Sequence, residues 1–372
     1  MAMSAGLRGI VAGTSSLSFV DGLKGRLIYR GYDITDLARH STFEETVYLL
    51  WNGGLPKREE LRAFRESLAK ERGLSKEQLN LLSTFPDDTP PMDVLRTMVS
   101  HMALWDPDKE DNSPEANMRK ALRLVAKFPV FVAAFHRLRS GEDIATPRED
   151  MDHATNFLYM LRGEEPTPEE ARALDIALLL HIDHEFNAST FSARVTASTL
   201  SDLFSAITSA IGTLKGPLHG GANQNVMRML RQIGELSKAE EYVVQALERK
   251  ERIPGFGHPV YKTMDPRAAI LKEMSKRLCQ RIGEPKWYEM SALIQDVMMR
   301  EKGLYPNVDF YSATTYYALG IPADLFTPLF ACSRVSGWAA HVMEQYADNR
   351  IIRPIAEYVG PKDLVYISLD NR

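Results

Sequence analysis

His219 lies in a glycine-rich segment, where a ligand can approach the backbone closely. It follows Gly216 and precedes Gly220 and Gly221, just ahead of a predicted helix. The positive end of a helix dipole favours a neutral imidazole, whose N–H can donate to an oxygen that gains charge during a reaction. A structural turn residue fits the same pattern equally well. The segment therefore predicts either an electrophilic imidazole or a turn.

A second histidine, His258, lies in another glycine-rich loop. Gly255 and Gly257 precede it, and Lys262 and Arg267 follow within nine positions. Glycines allow close approach of the backbone to a ligand, while the two cations add positive charge beside the imidazole. The loop is not a GxGxxG segment between a strand and a helix, which argues against a dinucleotide fold. The pattern resembles an anion-binding site.

Asp309 is a carboxylate among aromatic and apolar neighbours, shortly after Pro306. Such surroundings can raise a carboxyl pKa and make the group a better general base. Capping of a helix N-terminus is the ordinary alternative for an isolated aspartate. Asp309 is accordingly a candidate base whose role depends on its neighbours.

His181 and His184 are three residues apart on a predicted helix, so both could face one side. With Glu185 they offer metal-ligand types, but zincin helices place two histidines four apart. The two cysteines, Cys279 and Cys332, are too few and too far apart to complete a zinc site. The pattern favours the wall of a polar pocket over a metal centre.

These residues must be positioned by a mainly helical chain. The N-terminal region predicts a small β-hairpin, with strands within 9–19 and at 26–29 around an Asp21-Gly22 turn. Thr42 and Glu45 have capping-box spacing and begin the first predicted helix. Apolar periodicity and Pro, Ser or Thr starts predict further helices at 57–72, 92–105, 114–138, 148–161, 168–186 and 192–211.

The length of 372 residues favours two domains over one. Glycines cluster at 212–221, the next hundred residues are highly charged, and the chain becomes apolar again from Pro322. This alternation predicts a small domain at 220–321 inserted between two parts of a large one, at 1–219 and 322–372. The glycine cluster is a plausible hinge.

Composition excludes several classes of function. The net charge is −4, and the chain has no basic block of the kind that neutralises a phosphate backbone, which disfavours nucleic acid as a partner. No apolar run is long enough to predict a membrane span, and no secretory signal precedes the first helix. With only two cysteines, the protein is expected to be cytoplasmic.

The motifs taken together resemble the citrate synthase family, and they occur in the same order along the chain. They are His181-x-x-His184-Glu185, Gly216-Pro217-Leu218-His219-Gly220-Gly221-Ala222-Asn223, Gly255-x-Gly257-His258 with Asp265-Pro266-Arg267, Pro306-Asn307-Val308-Asp309, Phe330-x-x-Ser333-Arg334, and Arg353-Pro354. The resemblance implies an all-α fold with minor strands and a large and a small domain. It also implies a homodimer that condenses acetyl-CoA with oxaloacetate and hydrolyses the citryl thioester, with no cofactor.

The resemblance also assigns the three central residues. Asp309 would remove a methyl proton from the thioester, His219 would hold the enol oxygen, and His258 would polarise and protonate the oxaloacetate carbonyl. These roles are physically coherent, because a carboxylate cannot remove so weakly acidic a proton unless the enolate oxygen is stabilised as it develops.

The remaining assignments concern binding. Arg267, Arg334 and Arg353 match family positions that hold the oxaloacetate dianion, with Arg353 reaching the partner's site. His184 would contact oxaloacetate, and Phe330 would pack against it. Lys262 is a candidate contact for a CoA phosphate. One departure is that Phe186-Asn187 stands where many relatives have a glycine pair before the asparagine, which puts a substrate role for Asn187 in doubt.

Two alternatives stay open at this point. A 2-methylcitrate synthase would use propionyl-CoA with the same motifs, since one methylene is worth only ~1 to 3 kcal/mol of discrimination in an apolar pocket. A non-catalytic helical scaffold would explain the helices and the charge, but not the ordered polar motifs.

Overall fold

The fold was analysed in a computed structural model that describes residues 5–7 and 9–372. Within them, sixteen α-helices follow a small antiparallel sheet. The strands are β1 (Ser18–Asp21), β2 (Arg26–Tyr29) and β3 (Tyr32–Asp33), and β2 pairs with both others. The prediction of a mainly helical fold with a small N-terminal β element is confirmed.

The helices of the first half and of the C-terminal region form the larger part of the core. They are α1 (Ile34–His40), α2 (Phe43–Asn52), α3 (Arg58–Lys70), α4 (Lys76–Leu82), α5 (Pro91–Trp105), α6 (Pro114–Arg139), α7 (His153–Arg162), α8 (Pro168–His181), α9 (Ala188–Ser198), α10 (Leu203–Leu214) and α16 (Phe326–Ala347). Helix α16 is buried along most of its length and packs against α6, α8, α9 and α10. A helix that is apolar on all sides belongs at the centre of a core.

The helices in between pack mainly on one another. They are α11 (Ala222–Ile233), α12 (Ala239–Glu248), α13 (Pro266–Arg281), α14 (Lys286–Lys302) and α15 (Val308–Ala318). Helix α15 contacts α11 and α13, and α12 contacts α14. This grouping corresponds to the segment 220–321, and the division into domains at its two ends remains a prediction.

Four predicted boundaries were wrong. The first strand occupies only Ser18–Asp21, and residues 9–17 lie outside any strand. Helix α7 begins at His153, where Asp152 caps it, rather than at residue 148. Helix α8 ends at His181, so His184 lies in the following loop. The single helix predicted at 192–211 is two helices, separated at Leu200 by a left-handed backbone with φ 64°.

No helix in residues 5–7 and 9–372 is long and apolar enough to cross a membrane.

Candidate active site

The loop before α13 fixes the tautomer of His258. Backbone N–H groups of Val260 and Tyr261 donate to its Nδ1 at 3.0 and 3.2 Å. An amide can only donate, so Nδ1 is the acceptor and the ring proton lies on Nε2. Burial, together with Arg267 and Lys262, lowers the pKa of His258 to about 4. At neutral pH this residue is therefore a neutral imidazole that presents an Nε2–H donor.

His219 is fixed in the opposite tautomer. The backbone N–H of Ser189 donates to its Nε2 at 3.3 Å, and the Ser189 hydroxyl lies 2.8 Å from the same nitrogen. The ring proton is therefore on Nδ1. Burial and the positive charge of Arg334 lower the pKa of His219 to about 4. The residue precedes α11 as predicted, but burial, rather than the helix dipole, is the main reason that it is neutral.

Asp309 lies in the first turn of α15, and Asn307 is the N-cap of that helix. The Asn307 side chain accepts from the Asp309 N–H at 3.0 Å. Within the described residues, no donor is hydrogen-bonded to the Asp309 carboxylate. Burial raises its pKa to about 6, against the opposing effect of Arg267. A carboxylate with few partners and a raised pKa is suited to accept a proton.

Asn307 also joins Asp309 to the loop of His258. Its amide nitrogen Nδ2 donates to the Gly257 carbonyl at 3.0 Å, and its backbone N–H donates to the Gly255 carbonyl at 2.9 Å. Gly255 has φ 81°, and a Cβ there would lie 2.8 Å from both Phe310 and Val226. Only glycine fits this backbone and this close contact without strain. The candidate base and His258 are thus held by one short hydrogen-bonded unit.

His184 lies against His258, with ring centroids 5.0 Å apart. Its Nε2 is 3.4 Å from the Tyr261 hydroxyl. Burial, Arg267 and His258 hold the pKa of His184 well below its usual value. This imidazole is neutral, so it would contact a ligand by hydrogen bonding rather than by charge.

Two buried arginines supply the positive charge. Arg267 makes a bidentate pair with Asp265, at 3.0 and 2.7 Å. Arg334 donates its Nε to the His181 carbonyl at 2.6 Å, and its guanidinium lies 4.6 Å from the centre of the Phe330 ring. Burial lowers the pKa of Arg334 to about 10, so it stays cationic at neutral pH. Two fixed guanidiniums next to neutral imidazoles form a site for a small anion.

Comparison with known proteins identifies the family of this chain. Residues 6–355 match the family model described as citrate synthase, C-terminal domain. The chain belongs to the citrate synthase family. It is 53% identical to citrate synthase 2 of Bacillus subtilis, over 100% of both chains. A 2-methylcitrate synthase of Shewanella oneidensis is 44% identical, over 99% of this chain and 98% of that protein. The family resemblance inferred from the ordered motifs is confirmed.

The fold of this family member also matches solved structures. One is the ternary complex of carboxymethyl coenzyme A and oxaloacetate with citrate synthase from Thermoplasma acidophilum. It has a TM-score of 0.94 and 34% identity, and the match covers 99% of each chain. At this identity the agreement extends to sequence as well as to fold.

The structure brings together seven of the nine candidate site residues. They are His184, His219, His258, Arg267, Asp309, Phe330 and Arg334. The centroid of the Phe330 ring lies 6.5 Å from that of His219 and 5.0 Å from that of His181. His181 itself is fully buried, with Nδ1 2.7 Å from the Ala177 carbonyl, and its place in a pocket wall remains a prediction.

Arg353 does not join this cluster within its own chain. It is exposed, and the neighbouring Ile352 N–H is bonded to the Ser198 hydroxyl at 3.0 Å. Ser198 ends α9, whereas Ser189, the partner of His219, lies at the other end of that helix. Nine residues of α-helix span about 14 Å. Arg353 is therefore anchored at the far end of α9 from His219.

Lys262 is exposed and lines a cavity of about 200 Å³ with His258, Tyr261 and Asp265. A larger cavity of about 630 Å³ opens beside His219. Its lining includes three cations that sequence reasoning missed, Lys250, Arg252 and Lys302. They come from two separate segments, so only the fold reveals that they share one cavity.

One further residue and one further role escaped the sequence analysis. Ser189 fixes the tautomer of His219, and Asp265, which was quoted only within the Asp265-Pro266-Arg267 motif, orients Arg267. Asp265 carries a local signal, because it caps α13 two residues before the arginine. Ser189 is thirty positions from His219 and has no such signal. The described residues contain no group of three or more His, Cys, Asp or Glu side chains arranged to hold a metal ion.

Proposed function

We propose that the protein is a citrate synthase that condenses acetyl-CoA with oxaloacetate and hydrolyses the citryl thioester to citrate and CoA. The observation that carries this proposal is a pair of neutral imidazoles with fixed, opposite tautomers, together with a carboxylate of raised pKa and two buried guanidiniums. Condensation requires a base, two donors to developing oxyanions and a receptor for a dianion. It needs no cofactor, because the CoA thioester is a substrate.

The thioester half of the reaction uses Asp309 and His219. Asp309 takes a methyl proton from acetyl-CoA, while the Nδ1–H of His219 donates to the thioester oxygen. Charge moves from the breaking C–H bond to that oxygen, and a donor already in place stabilises it without reorganisation. The neutrality of His219 matters, since it can stabilise the enolate without protonating it fully.

The oxaloacetate half uses His258 and the arginines. The Nε2–H of His258 donates to the keto oxygen and protonates it as the new C–C bond forms. Arg267 and Arg334 hold the carboxylates, His184 contacts the same substrate, and Phe330 packs against it. Water then cleaves the thioester and releases the CoA thiol. Rigid guanidinium partners suit a dianion, because they give paired, charge-assisted hydrogen bonds.

The CoA moiety would lie in the cavity beside His219. Lys250, Arg252 and Lys302 line this cavity, and Leu218 is 94% exposed at its edge. These cations suit a polyanionic nucleotide. Lys262 remains a candidate contact, although it lines the smaller cavity next to His258. Charge reversal at Lys302 and at Lys262, compared in parallel, would separate the two positions by their effect on KM for acetyl-CoA.

The active unit would be a homodimer in the cytoplasm, with Arg353 completing the partner's site. The segment after α16 supports this assembly. Its apolar side chains are largely exposed in one chain, including Ile355 at 91% and Val359 at 90%. Exposed apolar surface of this extent is characteristic of an interface with another chain. Closure of the segment 220–321 onto the remainder would then enclose the substrates.

The test is thiol release from acetyl-CoA, measured with and without oxaloacetate. Release that requires oxaloacetate is expected, and its absence with both acetyl-CoA and propionyl-CoA would leave only a non-catalytic scaffold. The identity to a 2-methylcitrate synthase makes propionyl-CoA the second substrate to measure. We expect a higher kcat/KM for acetyl-CoA; the reverse ratio would identify a 2-methylcitrate synthase.

A further inference from the structure

The N-terminal hairpin contacts both segments that carry the oxaloacetate-facing histidines. On strand β1, the Ser18 hydroxyl donates to Asp183 Oδ2 at 2.5 Å and accepts from the Glu185 N–H at 3.0 Å. The Val20 N–H donates to Glu185 Oε1 at 2.7 Å. The residues on both sides of His184 are therefore hydrogen-bonded to strand β1.

The turn at His184 needs such support. Glu185 has φ 51°, a left-handed conformation that costs energy for a side chain of this kind. Tyr29 on β2 also holds the turn, since its hydroxyl donates to the Asp183 carbonyl at 2.8 Å and accepts from the Asp183 N–H at 3.1 Å. On the opposite side, His341 lies 3.1 Å from the Asp183 carboxylate. Local sequence alone would not keep His184 in this orientation.

The tip of the hairpin contacts the His258 loop. The Lys262 N–H donates to the Gly22 carbonyl at 2.8 Å. A Cβ on Gly22 would lie 2.3 Å from the Val260 carbonyl oxygen, so any side chain there would force the two segments apart. Val260 is the residue whose N–H is bonded to His258 Nδ1. The backbone segment at Val260, which fixes the tautomer of His258, is thus the segment that contacts the hairpin.

We propose that the β1–β2 hairpin is a positioning element that sets His184 and His258 relative to each other, with Ser18 and Gly22 as the two contact points. Neither residue would touch substrate. The hairpin would act through the 5.0 Å separation of the two imidazole rings, which must converge on one small dianion. This inference rests on the proposed function, because it assumes that both histidines face oxaloacetate.

The exposure of the hairpin tip supports a positioning role for its contact with the His258 loop, whereas the strand residues Val20, Leu27 and Tyr29 are buried in the core. Leu23 at its tip is 81% exposed, and Phe19 is 55% exposed. The tip therefore contributes little apolar burial, and its contact with the His258 loop is made by backbone atoms. Displacing reacting groups by about 1 Å can cost a hundredfold in rate, so a small shift of this contact would be measurable.

Gly22→Ala tests the tip of the hairpin. We expect the Kd for oxaloacetate to rise at least about tenfold, while KM for acetyl-CoA at saturating oxaloacetate changes less than about twofold. The matched control is Gly54→Ala, where an added Cβ meets no heavy atom within 4 Å. An oxaloacetate Kd as in the wild type, in a folded Gly22→Ala protein, would overturn the proposal. Equal losses in Tm and in both substrate affinities would also overturn it, as general destabilisation.

Ser18 provides a second and independent variant. Ser18→Ala removes the hydroxyl that bonds to both neighbours of His184, and it should weaken oxaloacetate binding in the same selective way. Ser18→Thr keeps the hydroxyl and should restore most of the affinity. Failure of the threonine variant to differ from alanine would contradict the role of the hydroxyl.

Hydrogen exchange of the wild-type protein avoids any folding defect in the variants. The Lys262 amide should be protected when oxaloacetate is bound, because it donates to Gly22. Exchange at the rate of an unprotected amide would show that the contact does not persist, and the proposal would fail. If the wild type itself releases no thiol with oxaloacetate, the proposed function fails instead, whatever the exchange shows.

Discussion

His219 and His258 are both neutral imidazoles in one site, but they carry the ring proton on different nitrogens. At His219 the acceptor nitrogen is Nε2, held by the Ser189 amide, and at His258 it is Nδ1, held by the amides of Val260 and Tyr261. Burial removes the charge in both cases. Burial thus determines the protonation state, and backbone amides determine which nitrogen carries the proton.

The surroundings of the two histidines differ as well. The His258 half includes Arg267, whose guanidinium is already paired with Asp265. Asp309 lies next to the His258 loop but is paired with His219 in the proposed mechanism, and its carboxylate has no bonded donor among the described residues. In that mechanism the arginine holds charge that arrives with the substrate. The carboxylate is poorly stabilised, so it gains by accepting a proton.

Asp309→Asn should give the largest loss of activity. It should also separate the thioester half of the proposed reaction from the oxaloacetate half. General-base catalysis contributes about 10² to 10⁴-fold, so kcat should fall by about that factor or more. Oxaloacetate affinity should change less than about threefold, since Arg267 and Arg334 are intact. Steady-state kinetics and calorimetry on the same preparation measure both quantities. The control is Asp150→Asn, at a surface carboxylate whose side chain is 66% exposed. Loss of oxaloacetate affinity as severe as the loss of turnover would contradict this division.

His219→Ala should reduce kcat by about 10² to 10³-fold, the usual effect of removing one donor to an oxyanion. Oxaloacetate binding should again survive, because the imidazole acts on the thioester oxygen. Ser189→Ala provides a sharper comparison, since the backbone amide that fixes the tautomer remains. We expect a much smaller loss from Ser189→Ala. Equal losses from the two variants would show that the hydroxyl, rather than the amide, controls the tautomer of His219.

The pH dependence should show which group titrates. Asp309 must be ionised to act as a base, and its pKa is raised to about 6 by burial. The rate at saturating oxaloacetate should therefore fall about tenfold for each pH unit below that value. The pKa values of His219 and His258 are lowered to about 4, so neither residue should add a second fall in the rate between pH 5 and 7. An acid limb centred near pH 4 would contradict this assignment.

The same shift has a consequence for stability. The folded-state pKa of Asp309 lies above its ordinary value of 3.8, so the folded state binds the proton more tightly than the unfolded chain. Ionisation of the Asp309 carboxyl therefore destabilises the folded state. This destabilisation is complete above about pH 6 and absent below about pH 4. Asp309→Asn should raise Tm at pH 7.5, and the increase should vanish at low pH. Calorimetric scans of both proteins across this range measure it.

Much of the site could be predicted because its motifs are local. Gly255, Gly257 and His258 form one loop, and Asn307 and Asp309 form one helix start, so their spacing already fixes their geometry. Ser189 and Lys302 were missed because their roles arise only when distant segments meet. Helix boundaries failed for a similar reason. The left-handed residue Leu200 breaks the predicted 192–211 helix, although no glycine or proline marks the break.

Arg353→Ala should give the smallest effect and extend the comparison to the dimer. One charge-assisted pair is worth ~1.5 to 3 kcal/mol, so oxaloacetate affinity should weaken at least about tenfold. Ile352, the neighbour of Arg353, is bonded to Ser198, about 14 Å along α9 from Ser189, which contacts His219. Arg353 would therefore serve the partner's site rather than its own. At an oxaloacetate concentration well below saturation, where Arg353→Ala chains are nearly inactive, mixing them with inactive Asp309→Asn chains should then restore activity, since one site of each mixed dimer receives a complete set of residues. Mass spectrometry verifies subunit exchange in the same sample. If exchange occurs and no activity returns, Arg353 acts within its own subunit, and the two halves of each site come from a single chain.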